Sequence, residues 1–389
     1  MTSGFSLRPL LAANLACTMA MMAFVALVGP IARQLGLAPW QAGACVTAGG
    51  LLWMLLARAW GAASDRHGRR PMLLAGAAGF ALAYWAMVAV VDASLRWLPA
   101  VPWVFAGLAA TRGAIGAFFA AVPAVGQALV ADHVPPERRA AALAALGAAS
   151  AVGMVAGPAF AAALAPHGLS LPLYATGALP LLALAVLWRA LPHARPTPQH
   201  APGTLALADQ RLRRPMALAL CAMFSVAVAQ ATVGFFALDR LGLAPGEAAR
   251  AAGLALTCVG VALIAAQMAA MRIDWAPARM ARAGGLVAAL GAGGVGWADG
   301  VAPLCLAFGV MAAGMGWVFP AFQALAANAV QAHEQGAAAG TIGAAQGLGM
   351  VSGPLAGTLL HGVTPVAPYA CVALLMAVAA LWPEGRTRA

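Results

Sequence analysis

A short charged stretch, GAASDRHGRRP at residues 61–71, stands out in a chain that is otherwise poor in charge. Only 8% of the 389 residues are charged, yet Asp65, Arg66, Arg69 and Arg70 fall within six positions. Long apolar runs lie on both sides. Two explanations are open from these residues alone: the arginines only set the orientation of the flanking segments in a membrane, or the cluster makes specific ion pairs.

Arg112 is the second group with chemical potential, because it lies inside an apolar run. It falls about ten residues into that run, roughly 15 Å deep at about 1.5 Å per residue of helix. An ionised side chain at that depth costs about 2.5 kcal/mol or more unless it faces a cavity or a partner. We therefore expect Arg112 in a central cavity, where it contacts substrate or takes part in coupling. The same lining is expected to include the other polar residues within apolar runs, Asn14, Thr18, Gln230 and Gln346.

Other kinds of chemistry find little support in the sequence. There is no phosphate-binding loop, no nucleophile triad and no metal-ligand spacing, and the six cysteines all lie inside apolar runs. We expect no enzyme activity, no cofactor and no metal. Transport energy would then come from an ion gradient or from the gradient of the substrate.

The elements that position these residues are membrane-spanning helices. The chain is 63% hydrophobic, with a mean hydropathy of +0.86, and apolar runs of about 20 residues recur from end to end. The predicted fold is an all-α polytopic membrane protein with twelve spans. These spans lie within residues 9–32, 41–60, 71–92, 101–131, 138–165, 170–190, 215–239, 247–271, 280–298, 301–331, 336–361 and 366–383.

The distribution of basic residues predicts the orientation. All 22 basic residues are arginine. With the N-terminus inside, 16 of them lie on the cytoplasmic side, four lie outside and two lie in spans, which is a strong positive-inside bias. Both termini are expected in the cytoplasm. The net charge of +11 reflects this topology, and no nucleic-acid partner is expected.

An internal repeat divides the chain into two halves. The sequence GMVAGP at 153–158 returns as GMVSGP at 349–354, an offset of 196 residues, and LGLAP occurs at both 35–39 and 241–245. The predicted domains are two six-helix bundles, 1–191 and 215–389, joined by a polar cytoplasmic linker at 192–214. Parallel halves of this kind place the substrate site near the midplane between them.

These motifs resemble the major facilitator superfamily, and its 12-helix drug:proton antiporter branch in particular. GAASDRHGRR matches the signature G-x-x-x-D-R-x-G-R-R, RGAIG at 112–116 fits R-x-x-x-G, and GMVAGP fits the antiporter motif G-x-x-x-G-P. The resemblance implies that the charged stretch is a conformational latch. Asp65 would face the eleventh helix near Gly336–Gly340, and Arg69 would pair with Asp132. The latch residues are Gly61, Asp65, Arg66, Gly68, Arg69, Arg70 and Asp132.

The antiporter motif, Gly153, Gly157 and Pro158, implies export rather than uptake. The expected function is export of small amphipathic compounds, drug-like molecules or a secreted metabolite such as a siderophore, by proton antiport; proton-coupled uptake of a small metabolite is the alternative. The expected partners are a small-molecule substrate, protons and the lipid bilayer, with the protein a monomer in a bacterial inner membrane. Unlike many drug:proton antiporters, the first span carries no acidic residue, and Asp239 is the nearest candidate proton carrier.

Overall fold

The computed structural model describes residues 6–191 and 209–382, except 271, 273, 274, 332 and 333. The described residues form an all-α protein, with thirteen α-helices and three short 3₁₀ helices. The α-helices are α1 Arg8–Gln34, α2 Pro39–His67, α3 Arg69–Trp97, α4 Val101–Phe119, α5 Ala121–His133, α6 Pro136–Leu164, α7 Ser170–Ala190, α8 Arg213–Asp239, α9 Pro245–Ala270, α10 Pro277–Gly294, α11 Val301–Asn328, α12 Gln335–His361 and α13 Ala367–Leu381.

The thirteen helices correspond to the twelve predicted spans, because α4 and α5 together form the fourth, Val101–His133. Pro123 has no backbone N–H to donate to the carbonyl of Phe119, where α4 ends, and this explains the break at Ala120. Within the described residues, nine helical stretches are long and apolar enough to cross a membrane. The other three are α10, α12 and α13.

The chain divides into two compact units. One comprises Met1–Gln199 with Ala244–Gly253, and the other comprises His200–Leu243 with Leu254–Ala389. In the first unit α1 packs against α6 and α7, and α4 packs against α2 and α3. In the second unit α8 packs against α12, and α10 packs against α11 and α13. The predicted linker falls mostly outside the described residues, at 192–208, so the domain boundaries stay a prediction.

Glycines set the closest helix contacts in both units. A Cβ at Gly153 of α6 would lie 2.8 Å from the carbonyl oxygen of Leu15 in α1, and Gly157 lies one turn further along the same contact. A Cβ at Gly349 of α12 would meet the carbonyl oxygen of Leu220 in α8 in the same way. The repeated motif therefore builds one type of close helix pair twice, because only glycine allows two backbones to approach this closely.

The charged stretch is mostly helical, whereas the sequence placed it in a loop. Helix α2 continues seven residues beyond the predicted span, through Asp65 to His67, and α3 begins at Arg69. Gly68 alone separates the two helices. Its φ of 95° lies in a region that glycine adopts without the steric cost other residues meet. The junction is therefore a one-residue turn that holds the charged side chains on two helix ends.

Candidate functional site

Arg69 is the centre of the charged junction in the first unit. Its guanidinium is buried, and its Nε donates to Oδ2 of Asp132 on α5 at 2.8 Å. Its Nη1 donates to Oγ of Ser64 at 2.7 Å and forms an ion pair with Asp65. Three helices, α2, α3 and α5, therefore meet at one guanidinium. Arginine suits this position better than lysine would, because its planar guanidinium binds several acceptors at once in a fixed geometry.

The remaining residues of the predicted latch differ in their surroundings. Arg70 donates from Nη2 to the carbonyl oxygen of Trp188 at 2.8 Å, while Arg66 is exposed. At Gly61, nothing among the described residues lies within 4 Å of where a Cβ would be. The side chain of Asp65 is 51% exposed. Its predicted partner at Gly336–Gly340 belongs to the other unit and stays a prediction.

Arg112 of α4 is buried, with 4% of its surface exposed. Its Cζ lies 4.9 Å from the centre of the Phe24 ring of α1, within range of a cation–π interaction. Its Nε and Nη1 have no hydrogen-bond partner in the described part of the protein. Among the described residues, the titratable groups that interact with it electrostatically are the thiol of Cys45 and the phenol of Tyr84, and neither is a carboxylate. A buried cation with free donors is suited to hold an anionic or polar group.

Asn14 and Thr18 lie on the face of α1 that packs against α6, and both are buried. Asn14 lines a cavity of about 240 Å³ together with Gln127 of α5 and Ser150 of α6. Its amide nitrogen donates to the carbonyl oxygen of Leu10 at 2.9 Å, which leaves its amide oxygen for other donors. The hydroxyl of Thr18 has no partner in the described residues. The sequence had singled out Asn14 and Thr18, but not the lining roles of Gln127 and Ser150.

A second cavity, of about 210 Å³, lies in the second unit and is related to the first by the repeat. Four residues that line each cavity correspond at the offset of 196. They pair as Gln127 with Gln323, Leu143 with Ala339, Leu146 with Ile342 and Ser150 with Gln346. Gln346 is thus a cavity residue, whereas Gln230 is a partly buried residue of α8 that does not line this cavity.

Asp239 ends α8 and meets His361, which ends α12. Nε2 of His361 and Oδ2 of Asp239 are 2.9 Å apart, and the imidazole also packs against the Phe235 ring at 5.7 Å. The His361 side chain is 2% exposed and that of Asp239 is 22% exposed. No sequence argument had included this histidine. Over the described ranges, no group of three or more His, Cys, Asp or Glu residues is placed to hold a metal ion.

Similarity to known proteins shows which family the chain belongs to. The family model described as Major Facilitator Superfamily matches residues 10–249, which is more than half of the chain. This chain belongs to the major facilitator superfamily. It is 28% identical over 346 residues to the tetracycline resistance protein, class G, of Vibrio anguillarum, with 83% of this chain and 81% of that protein covered.

Solved structures of other transporters share the fold. A human organic anion transporter matches with a TM-score of 0.64 and 20% identity, covering 97% of this chain and 99% of its own. A D-xylose-proton symporter matches with a TM-score of 0.72 and 16% identity, covering 98% of each chain. The chain is therefore a multi-pass membrane transporter of this superfamily, and the all-α polytopic fold predicted from its sequence is confirmed.

Proposed function

We propose that this transporter exports small amphipathic compounds by proton antiport from a bacterial cytoplasm, with both of its termini inside. The observation that carries the proposal is the packing of Gly153 and Gly157 against α1, because it gives the antiporter motif a physical role beside Asn14 and Thr18. The relative named for tetracycline resistance supports the same class of cargo. Amphipathic compounds suit a site with few charges, where apolar surface supplies affinity and a few polar groups supply orientation.

Within this proposal, Arg112 contacts the substrate or couples its binding to the proton, and the junction of Asp65 and Arg69 is a latch. A latch works by stabilising one of two conformations, so that its loss shifts an equilibrium rather than unfolding the protein. Arg69 supports such a role because it ties three helix ends together.

One variation of the proposal concerns the cargo and one concerns the direction. A secreted metabolite such as a siderophore would also be amphipathic cargo, and proton-coupled uptake is the second direction, since the fold itself serves a D-xylose-proton symporter. The motif at Gly153, Gly157 and Pro158 favours export over uptake.

Tetracycline in inverted membrane vesicles tests the proposal. An imposed acid-inside gradient should drive accumulation of labelled tetracycline in vesicles that contain the protein, and a protonophore should collapse it. The matched control is vesicles that contain the Arg112→Ala variant at equal abundance, which should not accumulate the label. Uptake into intact cells with none in inverted vesicles would reverse the direction, and accumulation that resists the protonophore would remove the proton.

A further inference from the structure

The pair of His361 and Asp239 is a buried titratable site that the proposed function leaves without a role. The imidazole is almost inaccessible, while the carboxylate remains partly exposed. Nδ1 of His361 is buried and has no hydrogen-bond partner in the described residues. A ring nitrogen without a hydrogen-bond partner is available to bind a proton, since imidazole changes its charge in the physiological pH range.

The repeat indicates that this pair is not part of the shared scaffold. The residue 196 positions before His361 is Ala165, which is buried and apolar. The LGLAP repeat aligns Asp239 with Arg33, which is exposed on α1. The first unit therefore folds without either partner, so packing of the repeated helices does not account for an imidazole and a carboxylate here.

The neighbouring elements supply few competing charges. The helices packed most closely against α12 are α8, α11 and α13. Two other titratable groups lie on these helices near the C-terminal ends of α8 and α12, namely Cys305 of α11 and Tyr369 of α13. Arg240 follows α8 and Asp299 precedes α11, and both are exposed. Tyr369 is already hydrogen-bonded to Thr232.

We propose that His361 and Asp239 form the proton-binding site that couples this transporter to the proton gradient. The inference rests on the proposed proton antiport. The proton binds Nδ1 of His361, and the resulting imidazolium stays paired through Nε2–H with the carboxylate of Asp239. Release of the Nδ1 proton restores the neutral ring. Both groups lie at the C-terminal ends of their helices, where a positive charge on the imidazole is favoured by the helix dipole.

Proton binding changes the contact between α8 and α12, because the pair joins these two helices at one end. Along the same contact, Gly349 and Gly353 bring the two backbones together, and Gln346 of α12 lines the second cavity. A change in charge at His361 therefore acts on the helix that carries a cavity residue. The coupling is a shift between two packings of one helix pair.

The first experiment reads proton binding directly and needs no substrate. The full-length protein, labelled with ¹⁵N-histidine, is titrated from pH 5 to pH 8 by NMR, and signals absent from His361→Gln belong to His361. We expect a ring that is protonated at Nε2 at high pH and gains a second proton within this range. Asp239→Asn should bind that proton only at lower pH, because the carboxylate favours the charged ring. A ring that keeps one state throughout, or that is unchanged by Asp239→Asn, would overturn the proposal.

The second experiment separates coupling from transport in proteoliposomes, with tetracycline as the probe. His361→Gln should lose at least about tenfold of the accumulation driven by a pH gradient, yet keep exchange of tetracycline at equal pH within about twofold. His167→Gln is the matched control, since His167 is an exposed histidine that follows α6, the repeat partner of α12. Equal pH-driven accumulation in wild type and His361→Gln would refute the coupling role of His361 and leave proton antiport standing. No pH-driven accumulation in wild type would refute proton antiport, and the NMR titration would still decide whether His361 binds a proton. Elution of both His361→Gln and Asp239→Asn as folded protein on size exclusion excludes unfolding.

Discussion

Replacing Arg112 by methionine should abolish transport while making the protein more stable. The side chain is buried, and Nε and Nη1 have no hydrogen-bond partner in the described residues. An arginine at the centre of a membrane-spanning helix costs roughly 2.5–3.5 kcal/mol on insertion scales. The cation–π contact with Phe24 returns roughly 0.5–2 kcal/mol of that cost. The guanidinium is therefore expected to destabilise the protein by a net amount of about 0.5–3 kcal/mol.

Methionine fills similar space without a charge, so the Arg112→Met variant should recover this free energy. At about 2 °C per kcal/mol for a unit of this size, its unfolding temperature should rise by roughly 1–6 °C. Tryptophan fluorescence of the detergent-solubilised protein measures the temperature, and labelled tetracycline in inverted vesicles measures transport. Arg112→Lys should restore little activity, because lysine lacks the planar fork.

Two further variants control this prediction. Phe24→Leu removes the ring but keeps an apolar side chain, and it should lower the unfolding temperature because the guanidinium loses its cation–π contact. Arg58→Met removes an exposed arginine from α2 and should leave transport within about twofold of wild type. A lower unfolding temperature for Arg112→Met together with normal transport would show that Arg112 is structural and takes no part in transport.

Two other predictions concern the charged junction and the close helix pair. Asp65→Asn should reduce transport at least about tenfold, and its abundance should not change because Asp65 is half exposed. Arg69→Ala should reduce transport and also cost about 3–5 kcal/mol of stability, since it removes the buried partner of a carboxylate. Transport rates at matched expression check both variants, and normal rates in Asp65→Asn would argue against a latch. Gly153→Val should prevent the approach of α6 to α1 and sharply lower the yield of folded protein, while Gly147→Ala should be tolerated because nothing lies within 4 Å of that Cβ; size-exclusion profiles compare the two, and equal profiles would contradict the packing argument.

The span pattern was predictable from the sequence because it depends on length and apolarity alone. The twelve predicted spans correspond to the helices of the structure. The errors occur where a local rule overrides apolarity. Pro123 divides the fourth span, and that signal was present in the sequence, since a proline removes the hydrogen bond to the carbonyl four residues earlier. Charge at residues 65–67 suggested a loop, but α2 continues through it because the turn needs only Gly68.

The His361–Asp239 pair was not predicted, because its partners are 122 residues apart in the sequence. Each residue ends a predicted span, and such positions are usually read as interfacial. A usable signal existed: the seventh and eleventh spans run in the same direction, so titratable residues at their last positions fall at the same level. Only the structure shows that α8 and α12 are direct neighbours, so that the two residues at their ends come into contact.

The two halves share their packing but not their charges, and this difference locates the chemistry. The close contact of α6 with α1 is repeated by α12 with α8, and the two cavities are lined at corresponding positions. The residue 196 positions after Arg112 is Phe308, which is fully buried. The second half therefore has an aromatic ring at the position where the first half has a cation. Helix packing therefore does not require a charge at this position, nor an imidazole at 361. Since a buried charge costs free energy wherever the scaffold does not need it, we propose that each unit carries one for a function that its repeat partner does not perform.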